Sequence, residues 1–433
     1  YENSNSASTA PLPVSGLTVT RATEGASLSW GVVKESLSSS TDASNIEYQI
    51  YQDGTNVAQT TSTSYSVTGL SNGITYSFTV SAKNTSTGVE GAQSGAKTVT
   101  PRYQGPKWYV AASDGKSLSD TTTNYDLGSS SSPINHLSNG IEIAAAGDTI
   151  VMMKGTHTGS NNRGINENGN KSFIIMGDPD YSADQIIIDA GGRDRHFTFD
   201  NGEDTTFQII GLTLYNGKTT SRGGGSIKLE NAAVKLKNVI FKENYSTGEE
   251  WSTSGAIYIA NNGKTIIDGC TFDGNYIYGE ESGNMGGAIF ANNLNNGTDT
   301  LKIKNSIFKN NYVKAKHQAQ GGAIAINHYQ AVIENNLFYD NYVYSGLGST
   351  NQQNASGGAV YLYNPNYWDN NTQSQKSLLV LFRNNTVVNN WVTSEKSDSY
   401  LDGAGVEFSG HDAGVYYSFN NIIWGNKLLG RTN

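Results

Sequence analysis

The sequence predicts an all-β protein in which a β-sandwich is followed by a right-handed parallel β-helix solenoid. Three observations lead to this prediction. The chain has 433 residues, more than one hydrophobic core usually organises, so two domains are expected. Its composition, with 49 Gly, 25 Tyr and only 15% charged residues, is typical of β-structure with many turns. The third observation is a short motif that recurs throughout the second half of the chain.

The first domain, predicted over residues 12–101, consists of short alternating segments separated by turn residues, a pattern that indicates a β-sandwich. The predicted strands cover residues 17–19, 27–30, 46–51, 64–67, 76–82 and 96–99. The sequence Gln52-Asp53-Gly54-Thr55 predicts a hairpin, because Asp-Gly favours the tight turns that join twisted strands. Residues 1–11 are predicted to be a flexible leader and residues 102–107 a linker.

Two aromatic residues of this domain carry a family resemblance. Trp30, in Leu28-Ser29-Trp30, and Tyr76, which follows Leu70 by six residues, resemble the core tryptophan and corner tyrosine of the fibronectin type III family. The resemblance implies that Trp30 fills the core and that the Tyr76 hydroxyl binds the preceding loop. Such modules are mostly spacers or adhesive units. Because the segment contains no Arg-Gly-Asp tripeptide, we expect a spacer.

The recurring motif of the second domain is a turn of small residues that leads into a branched residue. Its copies are Gly224-Gly225-Ser226-Ile227, Ser254-Gly255-Ala256-Ile257, Gly286-Gly287-Ala288-Ile289, Gly321-Gly322-Ala323-Ile324, Gly357-Gly358-Ala359-Val360 and Gly403-Ala404-Gly405-Val406. A second motif follows, with Asn, Phe and Asn at intervals of three and then an aromatic residue. The distance between its two asparagines is constant while the connecting segments vary, which favours one solenoid coil per repeat. Period-2 alternation favours a parallel β-helix over a helical array, and parallel crossovers favour right-handedness.

Stacking these coils in register predicts columns of like residues. We expect the asparagines to satisfy backbone groups of the turns through side-chain ladders. The first asparagine column is Asn238, Asn305, Asn335 and Asn384, and the second is Asn244, Asn275, Asn311, Asn341 and Asn390. The residues before the first column alternate in charge, which predicts ion pairs between neighbouring coils. They are Lys237, Asp268, Lys304, Glu334 and Arg383.

The solenoid is predicted to extend over residues 108–433. Near its start, residues 133–146 predict a short amphipathic helix, with Ser132 as its cap and Pro133 in its first turn, that covers the open first coil. At the other end, few residues follow the coil that contains Trp424. We therefore expect either that the chain is shortened there or that another molecule covers this coil.

The Gly-Gly-Ala-Ile and Phe-x-x-Asn repeats resemble those of the bacterial polymorphic outer-membrane proteins and related β-helix surface proteins, over about residues 223–426. The resemblance implies an adhesive protein at the bacterial cell surface. Its motifs are moderately specific, since similar coils occur in many exported bacterial β-helices.

A column of aromatic residues is the first candidate binding surface. Aromatic rings with a polar edge suit sugar rings, so the column would form a platform for a glycan. The alternative is a stack that only packs coil on coil. The column begins at Tyr245, and its candidate ligand-binding residues are Tyr276, Tyr312, Tyr342 and Trp391.

The densest cluster of ionisable residues is the candidate catalytic site. It comprises Asp189, Arg193, Asp194, Arg195 and His196, with Asp200 nearby. A polysaccharide lyase needs a base and a cation, and a glycosidase needs paired carboxylates, so the residue types fit either reaction. The cluster carries no motif of pectate lyases or polygalacturonases, and a solvated surface is the alternative. The pair His411 and Asp412 is a further candidate near the end of the chain, and a surface loop is its alternative.

No cofactor or metal site is predicted. Cys270 is the single cysteine, which excludes an internal disulfide, and we expect it to be a small buried residue. Acidic residues such as Asp114 and Asp120 offer oxygen ligands for Ca²⁺, but without the spacing of a binding loop. The net charge of -9 argues against a nucleic-acid partner, and no apolar run is long enough to span a membrane.

The sequence therefore predicts a secreted or cell-surface, non-catalytic protein that binds an extracellular glycan, matrix or surface protein. The expected binding loops cover residues 278–285, 314–320, 344–356, 364–375 and 393–402. Two alternatives stay open: an extracellular polysaccharide lyase or glycoside hydrolase, and a structural subunit that associates end to end through its last coil.

Overall fold

A computed structural model describes residues 10–34, 41–167, 171–200, 207–247, 253–261, 264–279, 283–292, 300–347, 353–363, 366–369, 374–395, 399–410 and 415–429. The chain divides into two units. One comprises the residues up to Gly105 together with Lys116–Ser132, and the other comprises Pro106–Gly115 together with the residues from Pro133 onward. Most of the predicted leader and the pair His411 and Asp412 lie outside the described residues.

The first unit is a β-sandwich of two antiparallel sheets. One sheet contains Thr18–Ala22, Gly25–Ser29 and Ser64–Thr68, and the other contains Thr55–Thr60, Ile46–Gln52, Tyr76–Asn84 and Lys97–Val99. Between the sheets, Trp30 packs edge-on against Tyr48, with ring centroids 5.4 Å apart. The Tyr76 hydroxyl accepts a hydrogen bond from the Ser71 amide at 3.1 Å. Asp53 has a positive φ of 49°, as the predicted hairpin turn requires.

The segment Lys116–Ser132 belongs to the first unit, whereas the sequence analysis placed it in the solenoid. It contains a short 3-10 helix, Leu118–Thr122. The Tyr103 amide donates to the Tyr125 carbonyl at 2.8 Å, and Asn72 Nδ2 donates to Asp126 Oδ1 at 2.6 Å. These contacts are polar and leave no trace in a hydrophobic pattern, so the sequence did not reveal them.

The second unit is a parallel β-helix, in which successive coils add one strand each to sheets that run along the solenoid. The ten-stranded sheet contains Lys107–Val110, Thr149–Met152, Ile174–Gly177, Gln208–Ile210, Lys235–Lys237, Ile266–Asp268, Thr300–Lys304, Gln330–Glu334, Leu379–Arg383 and Val415–Phe419. The nine-stranded sheet contains Gly155–His157, Ile186–Asp189, Thr213–Tyr215, Ile240–Lys242, Thr271–Asp273, Ile307–Lys309, Leu337–Tyr339, Thr386–Val388 and Ile422–Trp424.

Shorter sheets complete the coils. The eight-stranded sheet contains Ile165–Glu167, Phe197–Asp200, Ile227–Glu230, Ile257–Ala260, Ile289–Asn292, Ile324–Asn327, Val360–Tyr363 and Val406–Ser409. The seven-stranded sheet contains Lys218–Thr219, Tyr245–Ser246, Tyr276–Gly279, Tyr312–Ala315, Tyr342–Ser345, Trp391–Ser394 and Lys427–Leu429. Between these two sheets lie Gly223–Gly224 with Thr253–Ser254, and a four-stranded sheet of Asn284–Met285, Gln318–Gln320, Asn354–Ser356 and Tyr400–Asp402. Asn366–Asp369 and Ser374–Ser377 form an antiparallel hairpin, and Ser160–Asn162 and Ala183–Gln185 are 3-10 turns.

The helix at the start of the solenoid is shorter than predicted. It spans Leu137–Ile143 with His136 at its N-cap, so Ser132 and Pro133 lie outside it. The reason is backbone pairing, because the Ile134 amide donates to the Tyr109 carbonyl and the Ile134 carbonyl accepts from the Ala111 amide, both at 2.8 Å. These bonds hold Ile134 extended. The helix buries Leu137 completely and packs on the first strands.

The buried asparagine ladder holds the coils in register. Asn311 Nδ2 donates to Asn341 Oδ1 of the next coil at 2.9 Å and to the Phe272 carbonyl of the preceding coil at 3.0 Å. The Asn311 amide also donates to Asn341 Oδ1. The same pattern recurs along the second predicted column, which is continued by Asn426: Asn244, Asn275, Asn311, Asn341 and Asn390. Each rung therefore binds the coil above and the coil below.

The first predicted asparagine column has a different role from the one expected. Its members have left-handed backbone conformations, with φ of 53° to 57°: Asn238, Asn305, Asn335 and Asn384. They form the turn, since asparagine tolerates this conformation better than other non-glycine residues. The ladder itself lies one residue further on, where Asn336 Nδ2 donates to Asn385 Oδ1 at 3.1 Å. Gly269, with φ of 66°, replaces asparagine in one coil.

The charged column lies in register across successive strands, in the order Lys237, Asp268, Lys304, Glu334 and Arg383. The Lys304 ammonium lies 3.3 Å from Asp268, and the Arg383 guanidinium lies 2.6 Å from Glu334. Partial burial raises the pKa of Asp268, but hydrogen bonds from Asn305 and Lys304 outweigh this effect and lower it. These pairs are partly exposed, so their main contribution is to oppose like-charge registers rather than to add much stability.

Apolar residues line the inside of the coils and leave the last coil partly exposed. Phe241, Phe272, Phe308 and Phe338 stack inside with centroids 4.6–4.8 Å apart. Cys270 is buried as expected, and burial raises its pKa to about 12. In the last coil, Ile422 is 61% exposed and Trp424 is 75% exposed.

We predict that Asn311→Ala lowers the free energy of unfolding by about 2–4 kcal/mol, because buried amide groups of Asn275 lose their acceptor. The matched control is Asn305→Gly, at an exposed turn position where the preceding coil already has Gly269. It is expected to change stability by about 0.5 kcal/mol or less. Urea unfolding followed by circular dichroism measures both, and equal losses would contradict the ladder's role.

Candidate functional site

The aromatic column lies on the outer side of the seven-stranded sheet. Strand alternation directs Ile277, Val313 and Val343 into the core, so the residues before them face outward. We call this surface the tyrosine face. Its central column runs in register through Lys218, Tyr245, Tyr276, Tyr312, Tyr342, Trp391 and Lys427.

The rings of the tyrosine face cover one another. Successive centroids lie 5.0, 4.9, 4.8 and 3.9 Å apart from Tyr245 to Trp391, with planes within 9° of parallel. A sugar ring therefore cannot stack on the inner rings, whose two faces are occupied. Their edges and hydroxyl groups remain for a ligand. Burial raises the pKa of Tyr342 to about 12 and also that of Tyr312, so these hydroxyls stay protonated and can donate hydrogen bonds.

Lys218 and Lys427 occupy the two ends of the column, and Lys314 lies beside it. The Lys218 ammonium lies 5.7 Å from the centroid of the Tyr245 ring, and the Lys314 ammonium lies 5.2 Å from that of Tyr312. Both distances are typical of cation–π contacts. The Tyr245 hydroxyl lies next to Gly192, where a Cβ would approach it to 2.9 Å.

A depression of about 210 Å³ adjoins this end of the row. It is lined by Gly192, Arg193, Asp194, Arg195, Lys218, Thr219, Thr220 and Ser221. Three cationic groups and several hydroxyls thus face one carboxylate. The Asp194 Oδ1 atom accepts a hydrogen bond from the Arg195 amide at 2.8 Å. The Arg195 guanidinium donates to Thr219 Oγ1 at 2.7 Å, and burial lowers its pKa. The depression is suited to an anionic group.

The structure divides the predicted catalytic cluster. Arg193, Asp194 and Arg195 line the depression, but Asp189 accepts the Gly191 amide at 2.7 Å as part of a turn. Asp200 lies in the eight-stranded sheet, 3.8 Å from the Lys228 ammonium. His196 is completely buried. The cluster therefore does not bring a base and paired carboxylates together.

His196 supports the coil from inside. Its Nε2 atom lies 2.9 Å from the Ile188 carbonyl and its Nδ1 atom lies 3.0 Å from Ser226 Oγ. Burial lowers its pKa to about 4, although backbone hydrogen bonds oppose that shift. The side chain is thus a neutral structural group and not an accessible base.

Lys218 was missed by the sequence analysis. It occupies the tyrosine column one coil before Tyr245, and Asn216 precedes it with the same left-handed φ as Glu243 before Tyr245. Extending the repeat backwards by one coil would have found it. Of the expected loops, 314–320 is mostly strand, because Gln318–Gln320 pairs with neighbouring coils. The expected loops at 278–285, 344–356, 364–375 and 393–402 lie partly outside the described residues.

A carboxylate pair lies near the end of the solenoid. Burial raises the pKa of Glu407, and the charge of Asp402 raises it further. The Glu407 side chain folds over Gly403, where a Cβ would meet its Oε2 atom at 2.6 Å. Within the described ranges, no group of three or more His, Cys, Asp or Glu residues is arranged to hold a metal ion. Over the same ranges, we find no helix with the length and hydropathy of a membrane span.

Comparison with known proteins identifies the first unit. Residues 12–95 match the family model of the fibronectin type III domain. Residues 12–95 form a fibronectin type III domain. Trp30 in its core and the Tyr76 hydroxyl bond agree with this assignment.

Two curated chitinases are similar in sequence. A chitinase of Paenibacillus xylanexedens is 28% identical over 239 residues, covering 51% of this chain and 42% of the relative. Chitinase D of Niallia circulans is 28% identical over 197 residues, covering 42% of this chain and 35% of the relative. This chain therefore spans less than half the length of either chitinase.

Two solved structures align over most of the chain. An exopolygalacturonase of Yersinia enterocolitica covers 94% of this chain and 99% of its own, with 12% identity and a TM-score of 0.21. A pectate lyase of Pectobacterium carotovorum covers 95% and 91%, with 12% identity and a TM-score of 0.17. The β-helix is established by the order of the parallel strands in its sheets.

We predict a specific pH dependence from His196. The pKa of His196 in the folded protein is about 4, below its ordinary value of 6.5. The neutral imidazole therefore makes its full contribution to the free energy of unfolding above about pH 6.5, and this contribution is lost as the pH falls towards 4. The loss is on the order of 3 kcal/mol. His196→Gln is expected to flatten this part of the stability curve in urea unfolding between pH 7.5 and 4.5. A constant difference between the two proteins across that range would contradict the assignment.

Proposed function

We propose that the tyrosine face binds an acidic extracellular polysaccharide without cleaving it. The observation that carries the proposal is the row of tyrosine edges that ends at the depression lined by Arg193 and Lys218. Protonated hydroxyls, repeated about every 4.8 Å, donate hydrogen bonds to an extended chain of sugars. The cationic depression neutralises a carboxylate or sulfate at one end of that chain.

The charge distribution supports an anionic ligand. The whole protein carries a net charge of -9, yet Lys218, Lys314 and Lys427 lie on this one face. Acidic groups are also near, since burial raises the pKa of Tyr276 and the charge of Glu243 adds to that shift. Local cations on an acidic protein attract an anion at short range only, so binding is expected to weaken with salt.

The absence of cleavage is proposed from the chemistry of the same surface. Hydrolysis of a glycosidic bond requires two suitably placed carboxyl groups. The depression offers Asp194 alone, and the neighbouring imidazole of His196 is buried. We accordingly propose a secreted or cell-surface binding protein, with adhesion as its role and a matrix glycan or surface protein as its partner. End-to-end association through the last coil stays a prediction.

We predict that the protein binds polygalacturonate more tightly than fully methyl-esterified pectin, which has the same backbone without the charge. Arg193→Ala with Lys218→Ala is expected to weaken binding of the acidic polymer by about tenfold, since each exposed ion pair contributes up to about 1 kcal/mol. Tyr312→Phe with Tyr342→Phe keeps the stack and removes two hydroxyls, with a loss of similar size. Affinity electrophoresis or calorimetry measures these changes.

The matched control is Lys302→Ala, which removes a charge from an exposed position of the ten-stranded sheet. Its affinity should equal that of the unmodified protein. Equal binding of the acidic and esterified polymers would contradict a charged site on the tyrosine face. So would an equal loss of affinity in Lys302→Ala and in Arg193→Ala with Lys218→Ala.

A second candidate function, glycoside hydrolysis, is favoured by the pair Asp402 and Glu407. Burial and the nearby charge of Asp402 raise the pKa of Glu407, and a carboxyl group with a raised pKa can act as a general acid. The similarity to two chitinases also supports a test with chitin oligosaccharides. This candidate uses a different part of the chain from the tyrosine face.

For hydrolysis, we predict release of reducing ends from chitin oligosaccharides or acidic polysaccharides, and a loss of at least about 100-fold in rate for Glu407→Gln. The control Glu395→Gln removes a carboxylate that binds the Tyr344 hydroxyl and should leave the rate unchanged. No release across the panel would exclude this second function and leave the binding proposal intact.

A further inference from the structure

A notch interrupts the outer surface of the eight-stranded sheet. One outward column of this sheet runs in register through Asp200, Glu230, Ala260, Asn292 and Asn327. Ala260 has the shortest side chain of the five, so a gap as wide as one strand remains between the side chains of Glu230 and Asn292. The gap forms a cavity of about 230 Å³, with Arg222, Lys228 and Tyr258 also on its walls.

The amide of Asn292 points to a ligand. Its side chain is only 8% exposed, and its Oδ1 atom receives no hydrogen bond from the protein. Buried acceptors are nearly always paired. Asn292 lines the notch, so a hydroxyl group bound there would place a donor next to this amide.

The charges around the notch largely compensate one another. The Lys228 ammonium lies 2.6 Å from the Glu230 carboxylate and 3.8 Å from that of Asp200. The Arg222 guanidinium lies over the Tyr258 ring, 5.6 Å from its centroid. Tyr258 itself is nearly fully buried and forms the apolar wall. A free anion would meet Glu230, and a free cation would meet Arg222, so the arrangement favours an uncharged ligand.

A neutral sugar ring has the matching chemistry. Each hydroxyl both donates and accepts, so neighbouring hydroxyls can bind the acceptors Glu230 and Asn292 together with the donors Arg222 and Lys228. We infer that the notch at Ala260 is a binding subsite for one neutral pyranose unit of a glycan.

This subsite is separate from the tyrosine face. It lies on a different sheet, its ligand is uncharged, and its recognition does not depend on Arg193 or Lys218. The inference therefore goes beyond the proposed function and stands if that function is wrong.

Saturation-transfer NMR with methyl glycosides of glucose, galactose, mannose and N-acetylglucosamine tests the inference. At least one glycoside is expected to bind with a millimolar dissociation constant, as suits a ligand of this size. Ala260→Leu fills the notch while every polar group remains, and should weaken binding by at least tenfold. Arg222→Ala, at an exposed position that does not endanger folding, should weaken it several-fold.

The control Tyr312→Phe with Tyr342→Phe should leave glycoside binding unchanged, and Ala260→Leu should leave binding of acidic polysaccharide unchanged. Two results would overturn the inference. One is that no glycoside binds at concentrations up to about 50 mM. The other is that binding survives Ala260→Leu in a protein whose circular dichroism is unaltered, or survives Arg222→Ala at full strength.

Discussion

The asparagine ladder is the interaction on which the rest of the second unit depends. In each rung the Nδ2 group donates both to the Oδ1 atom of the asparagine in the next coil and to a main-chain carbonyl of the preceding coil, inside the turn where water cannot compete. A shift of one residue would leave several buried amides unpaired and would turn the phenylalanine stack outward. Parallel strands alone allow such a shift, because their hydrogen bonds repeat evenly. Register is therefore set by side chains as much as by the sheets.

Once register is set, small departures from the repeat create the two candidate binding surfaces. Most coils place an aromatic residue in the outer column, and the coil that places Lys218 there ends the row with a charge. Most coils place a longer side chain at the position of Ala260, and the exception opens a cavity. In both cases the repeat supplies a rigid frame, and one residue that breaks the pattern supplies the binding chemistry.

Much of this could be predicted from the sequence. Repeats with constant spacing predicted the coils, and the pattern of charges predicted the register that relates Lys304 to Asp268. Backbone geometry was harder, since Asn305 and Asn311 look alike in the repeat and only φ distinguishes a turn residue from a ladder residue. The burial of individual side chains was the hardest feature to predict from the sequence. In the sequence His196 resembles an accessible base, but in the fold it is buried inside the coil. The notch forms because residues about 30 positions apart, such as Glu230 and Ala260, lie side by side in neighbouring coils.

Asn311 and Asn341 are 30 residues apart along the chain, whereas Asn341 and Asn390 are 49 apart, yet the Nδ2–Oδ1 distance is 2.9 Å in both rungs. The longer coil accommodates an additional hairpin, Asn366–Asp369 with Ser374–Ser377. Lengthening a loop costs little entropy, roughly 0.6 kcal/mol per doubling. Insertions at such turns can consequently accumulate or be exchanged during evolution without loss of the scaffold. The same tolerance makes this turn a suitable place to display a foreign peptide.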